Sequence, residues 1–177
     1  MKERDVRIRL LTEEDTDNII RWRNSPAVKE FFIYRAKLTA EDHMNWIETK
    51  IKMGKVVQFI IEECKTDCPV GSVYLRDIDA LHQKAEFGIF IGEESVRGKG
   101  YGTQAAELIL AYAFEELKLN KVFLRVFANN PRAIASYSKV GFVQEGVFRD
   151  DVWIDGKPYD MVYMGILKSE WKENQCD

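Results

Sequence analysis

Three glycines stand at every second position directly before a run of helix-forming residues. They are Gly98, Gly100 and Gly102 in SVRGKGYGTQAAELILAYAFEELK, residues 95–118. Glycine has no Cβ and adopts positive φ readily, so successive N–H groups can turn toward one point at the start of a helix, where phosphate binds well. The segment therefore predicts a phosphate-binding loop, although its spacing fits neither a P-loop nor a dinucleotide-binding fingerprint.

A second residue with chemical potential is Glu86, in the apolar segment KAEFGIFIG. A carboxylate in a central strand is unusual unless it has a partner or a task. Arg125 stands alone among apolar residues in KVFLRVF, so Glu86 either acts as a general base or pairs with Arg125 on a neighbouring strand. Both interpretations stay open, and His82 or a water relay could replace Glu86 as the base.

The segments around these residues indicate how they are positioned. Helix starts at Thr12 and Thr39 precede the strands VVQFIIEE and SVYLRDI, which read as a hairpin, and Pro26 ends the first helix. KAEFGIFIG is a central strand, and the glycine loop, its helix and KVFLRVF complete a βαβ unit with parallel strands.

The last third of the chain has clear start and stop signals. Asn130 can cap a helix that has Pro131 in its first turn and Gly141 just past its end. Asp155 and Gly156 then mark a tight hairpin between two final strands. The pattern predicts one α+β domain over residues 1–177, with a mixed sheet of about seven strands and about four helices.

Composition limits the classes of function. A net charge of −3 over 177 residues argues against a surface that binds nucleic acid, and the chain has no apolar run that predicts a membrane span or a secretory signal. We therefore expect a cytoplasmic protein. Cys64, Cys68 and Cys176 are odd in number and have no second ligand pair, so neither a disulfide framework nor a metal site is expected.

Two motifs in this order resemble the GNAT family of acetyl-CoA-dependent N-acetyltransferases. The first is Arg97-x-x-Gly100-x-Gly102, and the second is the helix NPRAIASYSKVGF that follows the next strand. The resemblance runs through nearly the whole chain. It implies the GNAT fold, in which the two parallel strands splay apart and the pantetheine arm of coenzyme A lies in the gap.

The resemblance also implies which residues hold the co-substrate acetyl-CoA. They belong to the strand before the loop, to the loop itself and to the later helix. By position they are Ile89, Phe90, Ile91, Arg97, Gly98, Lys99, Gly100, Tyr101, Gly102, Thr103, Asn130, Ala133, Tyr137 and Lys139.

Tyr137 matches the family's tyrosine that donates to the departing sulfur. A phenol with a pKa near 10 is about 2 kcal/mol too weak to protonate a thiolate of pKa near 8.5, but a hydrogen bond during C–S cleavage would suffice. The alternative is that Tyr137 only packs, since it shares a helix face with Ile134 and Val140.

The acceptor is expected to be a small molecule with a primary amine. RWRNSPAVKEFF and HMNWIE are similar to nucleotide-linked amino-sugar N-acetyltransferases, for which Arg21, Trp22 and Arg23 would bind the acceptor, whereas the second half resembles spermidine and ribosomal-protein N-terminal acetyltransferases. An amino sugar is the first expectation, and a polyamine or a protein N-terminus is the alternative. A non-catalytic acyl-CoA-binding module, and assembly as a homodimer, also stay open.

Overall fold

The computed structural model describes residues 4–173, and a mixed sheet forms its centre. Within this range the sheet has seven strands in the order β1-β2-β3-β4-β5-β7-β6, and only β4 and β5 run parallel. The strands are β1 (Val6–Leu10), β2 (Val56–Glu63), β3 (Pro69–Asp79), β4 (Lys84–Ile91), β5 (Lys121–Phe127), β6 (Val143–Ile154) and β7 (Lys157–Leu167). The mixed sheet and its parallel pair confirm the prediction.

Helices occupy both sides of the sheet. They are α1 (Thr16–Asn24), α2 (Pro26–Lys29), α3 (Ala40–Trp46), α4 (Tyr101–Ala111), α5 (Pro131–Val140) and α6 (Lys168–Glu173). A π-helical turn extends α3 through Ile51 and another extends α4 through Glu116. Within the described range, α2 and α6 are two short helices beyond the four expected. Pro26 accounts for α2, because it follows the end of α1 and is the first residue of the next helix.

The caps and turns agree with the residues that predict them. Thr39 and Asp42 form a capping box at the start of α3, and Asn130 accepts a hydrogen bond from the N–H of Ala133 at 3.2 Å. Asp155 and Gly156 both have positive φ in the β6–β7 hairpin. These local signals set where the elements begin and end.

Two apolar clusters fill opposite faces of the sheet. Ile61, Val73 and Phe87 pack with α4 in the larger cluster, whereas Ile60 and Phe90 pack with α1 in the smaller one. Neighbouring residues of a strand point to opposite faces, so this division follows from strand geometry. No helix of the described range is long and apolar enough to cross a membrane.

Candidate active site

The parallel strands β4 and β5 separate after three paired residues. Their register runs from Lys84 opposite Lys121 to Glu86 opposite Phe123. Beyond that point β4 stays paired with β3 and β5 stays paired with β7, so both strands remain in the sheet while a gap opens between them. This is the splayed pair that the family resemblance implies, and Ile89, Phe90 and Ile91 border it.

The glycine loop leads into the N-terminus of α4 beside this gap. Gly98 and Gly100 have φ of +82° and +83°, but Gly102 lies in the first turn of α4 and does not share the positive φ expected of all three. The first helical hydrogen bond runs from the N–H of Gln104 to the carbonyl of Gly100, so the amides of the preceding residues point out of the helix end. This geometry suits an anion such as the pyrophosphate of coenzyme A.

Charged side chains surround the loop. Arg97 donates to the carbonyl of Ile91 at 3.2 Å and so ties the loop to the end of β4. Arg132 lies beside Gly98, and its Nη2 would be 3.6 Å from a Cβ at that glycine. The sequence interpretation did not single out Arg132, although it is the first exposed cation after Pro131 in the second motif. Two cations therefore stand at the phosphate end.

The other residues expected at the coenzyme differ in how they face the cavity. The hydroxyl of Tyr101 donates to Glu63, a hydrogen bond that raises the pKa of this phenol to about 12, and Lys99 is exposed 5.9 Å from the Tyr101 ring. Thr103 and Lys139 line the cavity. Asn130 and Ala133 line it as well, and they also fix the start of α5.

Tyr137 lies on α5 among aromatic rings. Its ring makes edge contacts with Phe87 at 5.8 Å and with Phe142 at 6.1 Å, and the residue lines the cavity. Burial raises the pKa of the phenol. Burial away from water would also destabilise a coenzyme A thiolate. A hydrogen bond from the Tyr137 hydroxyl to this thiolate would therefore still assist C–S cleavage. Packing and donation are both compatible with this placement.

Glu86 is held by two arginines. Arg76 on β3 lies opposite Glu86 and donates to its Oε1 at 2.8 Å, and Arg125 on β5 donates to the same oxygen at 3.0 Å. Burial lowers the pKa of each guanidinium, but the hydrogen bond with Glu86 and the attraction of its negative charge together outweigh burial, and the net shift of the pKa is upward. The expected pairing with Arg125 is thus present. Glu86 also lines the cavity, so its role as a base stays a prediction.

A cavity of about 970 Å³ connects these groups. One end lies at the glycine loop and α5, and the other, which we call the acceptor end, lies between α1, α3 and the sheet. The acceptor end is lined by aliphatic side chains together with polar and aromatic ones. The polar and aromatic residues include Arg23, Glu30, Phe32, Asp42, His43, Trp46, Gln58, Tyr74, Arg76, Glu86 and Arg125. His82 lies in the exposed turn before β4 and is not among the lining residues.

The three residues expected to bind the acceptor separate on α1. Arg23 lines the cavity. Arg21 instead contacts Glu93, and Trp22 is 1% exposed and donates to the same carboxylate at 2.8 Å, so neither lies on the cavity wall. Two residues along a helix are about 200° apart, which explains why Arg21 and Arg23 face different ways.

The sequence interpretation missed Tyr74, Arg76 and His43. The ring of Tyr74 lies against the bare backbone of Gly88, where a Cβ would be 2.3 Å from its Cζ. A signal for Arg76 was available, because a cation in SVYLRDI could be matched to Glu86 from the hairpin register. His43 offered no comparable signal in the sequence.

Cys64 and Cys68 do not form a disulfide with each other. Cys64 and Cys68 are exposed thiols, and Cys176 lies outside the described residues. Over residues 4–173, no three or more His, Cys, Asp or Glu side chains form a group that could hold a metal ion.

Comparison with known proteins decides the family. A family model described as an acetyltransferase (GNAT) domain matches residues 5–143. The chain belongs to the GNAT acetyltransferase family. Both motifs that carry the resemblance, Arg97-x-x-Gly100-x-Gly102 and the helix over residues 130–142, lie within the matched residues.

Individual GNAT relatives point to two kinds of acceptor. YdaF of Bacillus subtilis (strain 168), which has the provisional name of a ribosomal N-acetyltransferase, is 38% identical over 102 residues, or 58% of this chain and only 55% of YdaF. Spermidine N(1)-acetyltransferase of Escherichia coli (strain K12) is 30% identical over 94% of this chain and 88% of its own.

A solved GNAT structure extends this likeness to the fold. Spermidine N-acetyltransferase from Vibrio cholerae, in complex with CoA and spermine, superposes with a TM-score of 0.88 at 27% identity, covering 95% of this chain and 98% of its own. The same enzyme has also been solved as a dodecamer. The relatives therefore fit the polyamine alternative better than the amino-sugar expectation.

Proposed function

We propose that this chain transfers the acetyl group of acetyl-CoA to a primary amine of a small molecule bound at the acceptor end of the cavity. The observation that carries the proposal is the gap between β4 and β5, which joins the glycine loop to the acceptor end. Acetyl-CoA would lie with its pyrophosphate at the amides that begin α4, near Arg97 and Arg132. Its thioester would then face Tyr137.

The chain's own side chains supply two parts of the reaction. The amine must lose a proton before it attacks the thioester carbon, and the thiolate must be stabilised as the C–S bond breaks. We assign the second task to the hydroxyl of Tyr137. Both oxygens of Glu86 accept guanidinium hydrogen bonds, so we propose that the proton leaves through water, with Glu86 positioning the surrounding arginines.

The first acceptor class to consider is a polyamine, because relatives that cover most of the chain are named spermidine acetyltransferases. The second is an amino sugar that carries a phosphate or diphosphate. It is favoured by a specific observation, the three arginines at the acceptor end.

The test measures thiol release from acetyl-CoA with spermidine, UDP-linked amino sugars and N-terminal peptides of ribosomal proteins as acceptors. Turnover with at least one small amine supports the proposal. Tight acetyl-CoA binding without turnover on any amine would instead identify a non-catalytic acyl-CoA-binding module. The dodecamer of the Vibrio cholerae enzyme supports assembly into more than one copy, which light scattering after gel filtration would measure.

A further inference from the structure

Two buried polar atoms at the acceptor end lack a protein partner. They are Nε of Arg23 and Nε2 of His43, and they are the side-chain atoms of this kind found within residues 4–173. Buried polar groups in folded proteins almost always have a hydrogen-bond partner. Both residues line the same cavity, so a ligand of that cavity is the candidate partner for the two atoms.

Arg23 is a cation of the acceptor end, and no carboxylate forms a salt bridge with it within residues 4–173. Its guanidinium lies over the ring of Phe32, 3.4 Å from the centroid, and Arg76 is a charged neighbour. Burial lowers the pKa of Arg23; Tyr74 acts in the opposite direction, and the charge of Arg76 lowers the pKa further. Burying a charged guanidinium in this way costs free energy unless an anion binds to it. Arg76 and Arg125 differ from Arg23 because each forms a salt bridge with Glu86.

His43 presents a hydrogen-bond acceptor. The hydroxyl of Thr16 donates to the carbonyl of Glu13 at 2.7 Å and lies 3.0 Å from Nδ1 of His43, so the imidazole N–H must be on Nδ1. Nε2 therefore carries a lone pair. Burial lowers the pKa of His43, which keeps the ring neutral at pH 7. The ligand should offer Nε2 a hydroxyl or N–H donor.

The buried charges at the acceptor end favour an anion over a polycation. Arg23, Arg76 and Arg125 line it with the buried carboxylate of Glu86, while the carboxylates of Glu30 and Asp42 line it from exposed positions. The carboxylate of Asp42 accepts hydrogen bonds from Thr39 in the capping box of α3. A polyamine has two or more ammonium groups, and one placed beside Arg23 would approach a positive charge that no carboxylate neutralises.

We infer that the acceptor amine also carries an anionic group, phosphoryl or carboxylate, that binds Arg23, and a hydroxyl or N–H that donates to His43. The inference rests on the proposed acetyl transfer and names the substrate class of that site. Anionic amino sugars have this combination of groups, whereas spermidine has no phosphoryl or carboxylate group.

The experiment uses acceptors that share one amine. Acetylation is followed with glucosamine, glucosamine 6-phosphate, muramic acid and UDP-glucosamine, and with spermidine as the polycation. We expect kcat/KM to be at least about tenfold higher for an anionic sugar than for glucosamine. A preference for the two phosphoryl compounds over muramic acid identifies a phosphate site, and the reverse identifies a carboxylate site.

Variants then assign the preference to residues. Arg23→Gln should raise the KM of the anionic acceptor by about 10- to 100-fold while leaving the KM of acetyl-CoA unchanged and the melting temperature no lower. His43→Asn keeps a donor for Thr16 and removes Nε2, so we expect a rise of about threefold to tenfold. Arg149→Gln removes an exposed arginine of β6 and should retain the anion preference.

Three results would overturn the inference. They are a preference for spermidine or glucosamine, an anion preference that survives Arg23→Gln, or a fall in melting temperature that accounts for the whole effect of the variant. If no amine is acetylated, the proposed function fails. Calorimetric titration with CoA present still decides the inference, which then requires the anionic sugars to bind more tightly than glucosamine.

Discussion

The coenzyme end of the cavity is formed largely by main chain, whereas the acceptor end is formed by side chains from two helices, four strands and a loop. At the first, Gly98, Gly100 and the start of α4 supply amides whose direction depends on φ and helix geometry. At the second, Arg23 and His43 come from α1 and α3 and meet side chains of the sheet. A main-chain site serves one invariant ligand in many proteins, while a side-chain site can change its ligand by substitution.

The largest expected effect tests whether the acceptor end is held together by charge. Glu86→Gln leaves Arg125 without a carboxylate and Arg76 with only the exposed Asp77 at 3.9 Å, and we expect the free energy of unfolding to fall by about 3 kcal/mol in urea titrations. Glu145→Gln is the matched control. It breaks the more exposed pair with Lys121 and should cost at most about 1 kcal/mol.

Kinetics of the same Glu86→Gln protein separate pairing from catalysis. A general base would lose about 10²- to 10⁴-fold in kcat, together with the acidic limb of the pH–rate profile. A change confined to stability and acceptor KM contradicts the base role.

A smaller effect is expected where the two ends meet. Tyr137→Phe should lower kcat by about 30-fold, or about 2 kcal/mol, and leave the Kd of acetyl-CoA nearly unchanged, because the hydroxyl acts only as the thiolate forms. Tyr112→Phe removes a hydroxyl from another ring that packs edge-on against a phenylalanine, Phe59. If both variants lose stability equally and neither loses turnover, Tyr137 is a packing residue.

The main-chain character of the coenzyme end is tested at Gly100. Gly100→Val strains a positive φ, and we expect calorimetry to show acetyl-CoA affinity at least about tenfold weaker, or about 1.4 kcal/mol. Gly54 has φ +69° and, like Gly100, has open space around a Cβ. Gly54→Val should therefore show the same strain without the loss of affinity, and equal affinity in the two variants would refute the loop's role.

The smallest effect compares two helix caps. Asn130→Ala and Thr39→Ala each remove a side-chain acceptor at a helix start and should lower the free energy of unfolding by about 1 kcal/mol. Only Asn130→Ala should also weaken acetyl-CoA binding, because α5 begins at the coenzyme end. A matching loss from Thr39→Ala would show that the two ends are not independent.

The same contrast explains what could be predicted from the sequence. Local backbone conformation was predictable from residue type at four positions: Gly100, Asn130, Gly141 and Asp155. The glycine loop, the helix caps and the hairpin could therefore be predicted from adjacent residues. The splayed pair followed from the βαβ pattern together with the family resemblance.

The acceptor end depends on contacts between distant segments, which local patterns do not encode. The Glu86–Arg125 pair was predictable as a cross-strand pair of isolated charges, but the role of Arg76 required the hairpin register. Arg21 and Arg23 were grouped because they are close in sequence. The indole of Trp22 lies against Gly92, where a Cβ would be 2.1 Å from its Cγ, and that contact fixes which arginine turns inward.

The gap between β4 and β5 also affects how the main chain exchanges its hydrogens with solvent. Alternate N–H groups of a strand point to opposite neighbours, so every second amide of Phe87–Ile91 points toward the gap rather than toward β3. Those amides should take up deuterium quickly in the free protein although they belong to a central strand, and should become protected when acetyl-CoA occupies the gap. Deuterium uptake by β4, measured by mass spectrometry, should therefore report whether acetyl-CoA is bound, even before any acceptor is known.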